Sequence, residues 1–226
     1  MIEQPNIEGY GPYYTKYNEQ TYILKHPLLQ HKLTSIRSVE TNTDMFRRIV
    51  REIGTVMAVE LTRHLPIKNK SVETPLAQMF APTLDCKKLC LAPIMRAGMG
   101  LSEGFSDIIP LARIGHIGVY RDHETLQPKE YFCKMPGNLD QRLIILIDPM
   151  LATGGSASAA ISMLKNRGAA TIIFANMVAA PEGIDRVTKE HPDVTIYTIA
   201  VDECLDENAY IVPGLGDAGD RTYGTR

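Results

Sequence analysis

The sequence predicts an α/β fold in which a central, mainly parallel sheet is flanked by helices. Two observations predict it. From residue 89 onward, short apolar runs alternate with stretches that suit helices, the beat of buried parallel strands and the helices that cover them. One of those runs, LIILI at 143–147, opens directly into DPMLATGGS and then into a stretch of small residues. That arrangement sets a glycine-rich turn at the carboxyl edge of a parallel sheet, where such sheets bind their ligands. At 226 residues and 44% hydrophobic, the chain can bury one good core and carry an accessory flap.

The first 22 residues stand apart. Tyr10, Tyr13, Tyr14, Tyr17 and Tyr22 crowd a stretch with Gly and Pro and no clear period. This is read as an extended arm, either a loosely attached terminus or a segment packed on a neighbouring subunit through its tyrosines. The domain proper is set at 23–226. A helix is expected over 42–65, because Phe46, Ile49, Val50, Ile53, Val56, Met57 and Leu61 recur at spacings of three and four. Asn42 or Thr43 would cap it and Pro66 would end it. Weak alternation at 71–79 suggests an edge strand or a hairpin arm.

The regular beat follows. Apolar runs at 89–94, 114–120 and 143–147 read as strands, with a helix at 98–109 after the first. A helix at 156–167 is stopped by Gly168, a strand covers 171–178, a helix at 181–190 opens on Pro181, and a last strand covers 194–200. Residues 121–140 are polar and charged, and read as a mobile hairpin that leaves the sheet.

Composition excludes several classes. A net charge of -2 with 22% charged residues is neither a basic nucleic-acid coat nor an acidic tail, though it permits a local basic site for a small anion. Cys86, Cys90, Cys133 and Cys204 lack the partners for a zinc set and read as buried or half-buried thiols of a reducing compartment. The six histidines are scattered without a triad. With no basic start before an apolar run, and no run near the roughly 20 residues of a membrane span, a cytoplasmic protein is expected.

The chemistry is carried by four strings. In DPMLATGGS, the glycines let backbone N–H groups at a helix N-terminus approach a phosphate, Thr153 and Ser156 add hydroxyl donors, and Asp148 can accept from sugar hydroxyls. The string lacks the Lys of a Walker loop and the spacing of a dinucleotide fingerprint. LAPIMRAGMG and GHIGVYRDHETLQP place Arg96 and Arg121 at strand ends beside that loop, in reach of pyrophosphate oxygens. YIVPGLGDAGDRTYGT reads as an ordered, tight loop. Close backbone approach at Gly214, Gly216 and Gly219 suits a flat base held by main-chain groups.

DPMLATGGS looks like the 5-phosphoribosyl-1-pyrophosphate (PRPP) loop of type I phosphoribosyltransferases, which share a Rossmann-like fold. With HPLLQHKLTSIR, PIMRAGMG, GHIGVYRD, AAPEG, HPDV and YIVPGLGDAGDR in order, the chain from about residue 23 to its last residue resembles the uracil phosphoribosyltransferase family. The resemblance implies a pyrimidine-salvage transferase that converts uracil and PRPP to UMP and pyrophosphate. It implies PRPP contacts from Arg96, Arg121, Asp148, Pro149, Met150, Leu151, Ala152, Thr153, Gly154, Gly155, Ser156 and Asp217. It implies a uracil slot at Ile211, Gly216, Asp217 and Ala218. Catalytic roles fall to Arg121 at the leaving group and to Asp217 as acceptor of the uracil proton.

Magnesium would arrive with PRPP rather than in a protein metal site. A flexible lid near 121–135, a C-terminal hood over the base and a homodimer or homotetramer are also implied. Some members are activated by GTP through assembly, though no GTP motif is visible here. No nucleic-acid or membrane partner is expected.

The sequence departs from the pattern twice. Pro149 stands where many of the wider class have a second acid, and His123 where many relatives have Pro. Lys32 and Arg37 are divided between subunit contact and the rim of the site. Two other readings stay open: a regulatory, RNA-binding relative that lost catalysis, and a transferase for another base.

Overall fold

The computed structural model describes residues 14–63, 65–84, 89–121 and 128–225, with the backbone alone at Arg121 and Pro128. The chain begins with β1 (Tyr14–Lys16), β2 (Thr21–Leu24), α1 (Pro27–Arg37), α2 (Thr43–Leu61), β3 (Ile67–Glu73) and β4 (Gln78–Leu84). It continues through β5 (Leu89–Met95), α3 (Gly98–Ile108), β6 (Arg113–Ile114), β7 (His116–Arg121), β8 (Pro128–Lys134), β9 (Leu143–Ile147), β10 (Met150–Leu151) and α4 (Gly155–Asn166). The last part holds β11 (Thr171–Ala175), β12 (Val178–Ala179), α5 (Pro181–Glu190), β13 (Thr195–Thr198), β14 (Ala200–Val201), β15 (Cys204–Leu205), β16 (Ile211–Val212) and α6 (Ala218–Tyr223).

The main sheet runs β1-β2-β13-β11-β9-β5-β7-β8, with β6 also paired to β5. Its interior is parallel, and the outermost strands β1 and β8 are antiparallel to their neighbours. Side chains of β5 and β9 alternate between two cores, as the period of a strand requires. Leu89, Leu91, Ile145 and Ile147 join Leu33, Phe46, Ile53 and Phe105 from α1 to α3. Cys90, Ala92, Ile144 and Leu146 join Ala160, Ile161, Leu164 and Val187 from α4 and α5. A sheet covered on both faces explains the unbroken apolar runs in the sequence. The strand order reverses between β5 and β9, so their carboxyl ends frame the crevice where open α/β sheets bind ligands.

Most expected elements stand where the pattern put them, and the exceptions have local causes. Asn42 does cap α2, accepting from the Met45 amide at 2.9 Å. The helix ends at Leu61 rather than at Pro66, because Thr62 turns its hydroxyl onto the Ala58 carbonyl (2.7 Å) and leaves the helical conformation. The single strands expected over 171–178 and 194–200 each break in two. After the break the chain forms a separate parallel sheet, β10-β12-β14. Strand β2 and helix α1 were not expected, although the buried Leu29, Leu33 and Ile36 of α1 recur at helical spacings of four and three. Part of the tyrosine-rich stretch is built into the sheet: β2 pairs with β13, Tyr22 stacks on Tyr197 at 5.5 Å, and Tyr14 meets Tyr22 edge-on at 5.2 Å.

The excursion at 121–140 begins as the antiparallel hairpin β7–β8, while its tip, His123 included, lies outside the described residues. The other hairpin, β3–β4, pairs only with itself and leaves Ile67, Leu76 and Phe80 exposed. Cys90 is buried and Cys133 half-buried, as expected, but Cys204 is exposed on the short ribbon β15–β16, and Cys86 lies outside the described residues. No described helix is long and apolar enough to cross a membrane.

Candidate active site

At the crevice between β5 and β9 lies a cavity of about 240 Å³ whose walls come from three segments. Ala97 follows β5. Asp148, Pro149, Met150 and Ala152 belong to the glycine loop after β9. Tyr210, Ile211 and residues 216–219 belong to the hood. The geometry therefore joins three of the strings that the sequence singled out. A larger cavity of about 300 Å³, lined by Arg51, Glu103, Asp107 and His116, touches neither the loop nor the hood. We place the site in the smaller one for that reason.

The glycine loop is held from below. The Pro149 carbonyl accepts from the amides of Met177 (2.9 Å) and Val178 (3.2 Å), and the Leu151 carbonyl accepts from Ala180 (2.8 Å). Leu151 itself is fully buried in the core, so its side chain serves packing and does not face the cavity. Gly154 starts α4 at φ +75°, and a Cβ there would stand 2.9 Å from the Gly183 carbonyl oxygen. That conformation aims the first amides of α4 out of the loop, with the positive end of the helix dipole behind them. Thr153 Oγ1 accepts from the Gly155 amide at 3.4 Å, and Ser156 is exposed.

Asp148 is the buried charge of the site. Although some of its surface opens to the cleft, burial pushes its carboxyl up to about 8; a hydrogen bond from the Met150 amide opposes the rise and the nearby Asp217 adds to it. The second acid missing at Pro149 is thus supplied in space by the hood. Asp217 also caps α6, its Oδ1 accepting from the Asp220 amide at 2.8 Å.

Arg96 follows β5 and is exposed. Its guanidinium stands 5.4 Å over the Tyr223 ring, while the Tyr223 hydroxyl donates to the Arg96 carbonyl at 2.9 Å. The Met95–Arg96 and Val212–Pro213 peptides beside the cleft are both cis. Arg121 ends β7, and its side chain lies outside the described residues.

The hood is a loop and then a short helix, not a loop throughout. Gly214 and Gly216 take φ +59° and +80°, whereas Gly219 sits in the first turn of α6. At Gly214 a Cβ would lie 2.0 Å from the Ile211 carbonyl oxygen, so only glycine fits. Ile211 is 4% exposed and forms an apolar floor, and Ala218 is buried beside it. Sequence reasoning passed over Tyr210, which lines the cavity, and Tyr223, which holds Arg96. Both lay inside the quoted terminal string, but nothing local shows where their rings point. Lys32, divided between two roles by sequence, forms an ion pair with Glu52 on α2 at 2.5 Å.

Comparison with known proteins identifies the family. The family model for uracil phosphoribosyltransferase matches residues 23–225. A uracil phosphoribosyltransferase of Brucella melitensis is 57% identical over 204 residues, covering 90% of this chain and 98% of that protein. One from Levilactobacillus brevis is 54% identical over the same shares. Among solved structures, a protein of Aquifex aeolicus superposes with a TM-score of 0.86 at 32% identity, over 91% of this chain and 98% of its own. The adenine phosphoribosyltransferase of Trypanosoma brucei, at 13% identity and a TM-score of 0.60, covers 90% of this chain and 91% of its own, and shares the fold. With the family model running through both the glycine loop and the hood, and relatives more than half identical over almost their whole length, the chain belongs to the uracil phosphoribosyltransferase family.

Proposed function

We propose that the cavity between the glycine loop and the hood is where this chain transfers the phosphoribosyl group of PRPP to uracil, releasing UMP and pyrophosphate. The observation that carries this reading is the meeting of the glycine loop, through Asp148, Pro149, Met150 and Ala152, with the hood on one cavity at the switch point of the sheet, the loop running on into the start of α4. The amides at the start of α4, with Thr153 and Ser156, hold the 5-phosphate. Backbone groups of residues 148–152 complete the PRPP contacts, and Asp148 accepts from ribose hydroxyls. Arg96, and Arg121 from the lid hairpin, take up the charge that develops on the pyrophosphate.

Uracil lies on Ile211 with its polar edge toward the backbone of residues 216–218. Such a slot admits a pyrimidine and excludes a purine by shape. Asp217, in the hood, accepts the ring proton as the nitrogen attacks. Asp148, with a carboxyl at about 8, is largely protonated at neutral pH before PRPP arrives and gives that proton up when ribose hydroxyls donate to it.

Among the described residues no cluster of three or more acidic, His or Cys side chains forms a metal site. The buried Asp148, whose ionisation burial and the nearby Asp217 both oppose, fits a place where a divalent cation carried by PRPP oxygens comes close. Magnesium held by PRPP oxygens there would neutralise pyrophosphate charge.

The exposed ribbon β3–β4 supports assembly, because a two-stranded hairpin with an apolar surface is marginal alone. A homodimer or homotetramer would cover it, and GTP would act through that assembly; the domain boundary expected at residue 23 falls inside β2, so the domain begins at β1 at the latest. Light scattering of the full chain, with and without GTP, checks the assembly and the effect of GTP. A cytoplasmic setting follows from the substrates.

The direct test is turnover of labelled uracil with PRPP and Mg²⁺, for the wild type and Asp217→Asn. Activity that collapses in the variant supports both the reaction and the proton acceptor. Activity that survives keeps the reaction and removes Asp217 from that role. Wild-type enzyme that binds PRPP yet forms no UMP overturns the reading.

A further inference from the structure

The two halves of the cleft are tied together by residues that do not line it. In the glycine loop, β10 pairs with β12, and β12 with β14, in the registers Leu151↔Ala179 and Ala179↔Val201. The next residue is Asp202, whose amide donates to the Ala179 carbonyl at 2.9 Å. Its carboxylate turns to the hood, where Oδ2 accepts from the Gly214 amide at 2.9 Å. Arg37, at the end of α1, donates its fork to both Asp202 oxygens at 2.7 and 2.6 Å, and Nη1 also donates to the Gly214 carbonyl at 2.6 Å. One ion pair thus grips a single hood residue by both of its backbone groups. The Asp202 side chain is 5% exposed and that of Arg37 24%.

A buried ion pair is weak ground for a stability argument, since desolvation offsets much of the attraction. What a bidentate fork supplies is fixed geometry. Transfer needs the attacking nitrogen aligned and within about 3–3.5 Å of the anomeric carbon, and a misplacement of roughly 1 Å costs about a hundredfold in rate. PRPP is held by the loop and the base by the hood, so their separation decides that alignment. We propose that Asp202 and Arg37 are positioning residues that set the spacing between the glycine loop and the hood, and through it the selectivity for the base. The proposal rests on the site reading given above. It also gives Arg37 a part that is neither subunit contact nor ligand contact, because its fork is spent on Asp202 and Gly214.

The test uses the full-length enzyme as wild type, Asp202→Asn and Arg37→Lys, with three readouts. These are PRPP affinity by calorimetry without base, kcat and KM for uracil, and the ratio of kcat/KM for uracil to that for thymine, which keeps the same polar edge and adds one methyl. The expected result is a kcat/KM for uracil lowered roughly 10- to 100-fold, mainly through kcat, and a narrowed preference over thymine, with PRPP affinity within about twofold. Unchanged uracil kcat/KM and preference in both variants overturn the proposal. So does a parallel loss of PRPP and uracil affinity with a lowered Tm, which would make the pair a general support of the fold. If Asp202→Asn does not fold, Arg37→Lys keeps the charge and carries the same three readouts. Wild-type enzyme that forms no UMP overturns the site reading and this proposal with it, whereas an active wild type with unaltered variants overturns this proposal alone.

Discussion

The glycine loop and the hood face each other across one cavity, yet they are built in opposite ways. The loop continues a central strand into a helix, and its supports come from the next β-α unit, as in the bonds from Met177, Val178 and Ala180 to Pro149 and Leu151. The hood is held from far away in the chain. Arg221 donates to the Leu215 carbonyl at 2.8 Å and reaches the carbonyls of Ile36 and Ser38, 185 and 183 residues distant. Its guanidinium also lies 4.5 Å over Phe46. Local construction makes the anion half of the site a property of the sheet itself. In the function proposed above, the distant bracing leaves the base half adjustable without disturbing the anion half.

The largest expected effect comes from adding one methyl to each half. Gly154 and Gly214 both hold positive φ, and both have a carbonyl oxygen where a Cβ would go, at 2.9 and 2.0 Å. Gly154→Ala and Gly214→Ala are each expected to cut turnover by about a hundredfold or more. The two should differ in calorimetry: Gly154→Ala loses PRPP binding, while Gly214→Ala retains it within about threefold. Loss of PRPP binding in both would break the contrast between local and distant construction.

The next effect belongs to Asp148 and is read in pH. Burial raises its carboxyl from 3.8 to about 8. Between those values the folded protein keeps a proton that the unfolded chain has released, so unliganded stability falls as pH rises through the window. The slope is at most on the order of 1.4 kcal/mol per pH unit. Above the upper value the loss is complete. Asp148→Asn should flatten that slope in chemical denaturation and lower turnover by roughly a hundredfold, because an amide is a weaker acceptor for ribose hydroxyls than a carboxylate. A wild-type slope that persists in the variant would assign it to another group.

The same contrast explains what could be read from sequence. Strand β9, its loop and α4 were legible nearly to the residue, because an apolar run, a glycine pair and small residues are local signals. Helix α5 was legible from Pro181 at its first turn. The hood was legible as a string of glycines, but its braces were not. Arg37, Asp202 and Arg221 look like ordinary surface charges until the fold brings residues 36–41 beside 202–221. The breaks that create the β10-β12-β14 sheet were also hidden. Asn176 lies inside an otherwise apolar stretch, and nothing local says that pairing will shift there from the main sheet to a second one.

A smaller effect is expected where the two halves touch. Tyr223→Phe removes the hydrogen bond to the Arg96 carbonyl and keeps the ring beneath the guanidinium. A single neutral hydrogen bond contributes about 1 kcal/mol, so the PRPP KM should rise roughly fivefold with little change in that for uracil. Tyr223→Leu, which also removes the cation–π contact, should exceed it. If the two variants are equal, the ring contributes nothing and the hydroxyl alone orients the Arg96 turn.

The smallest effect tests whether cavity size has misplaced the site. The larger cavity holds Arg51 in a two-pronged ion pair with Asp107, both bonds at 2.7 Å, on an exposed face formed by α2 and α3. Exposed pairs of this kind are screened by water and salt and contribute little. The carboxyl of Asp107 is held low mainly by its hydrogen bond to Arg51, so the pair is already satisfied without a ligand. Arg51→Ala should therefore leave kcat/KM for uracil and for PRPP within about twofold of the wild type in the isolated enzyme. A larger loss, specific to one substrate, would move part of the binding surface to the α2–α3 face. The hood would then have to be read as a cover for the core, no longer as the base half of the site.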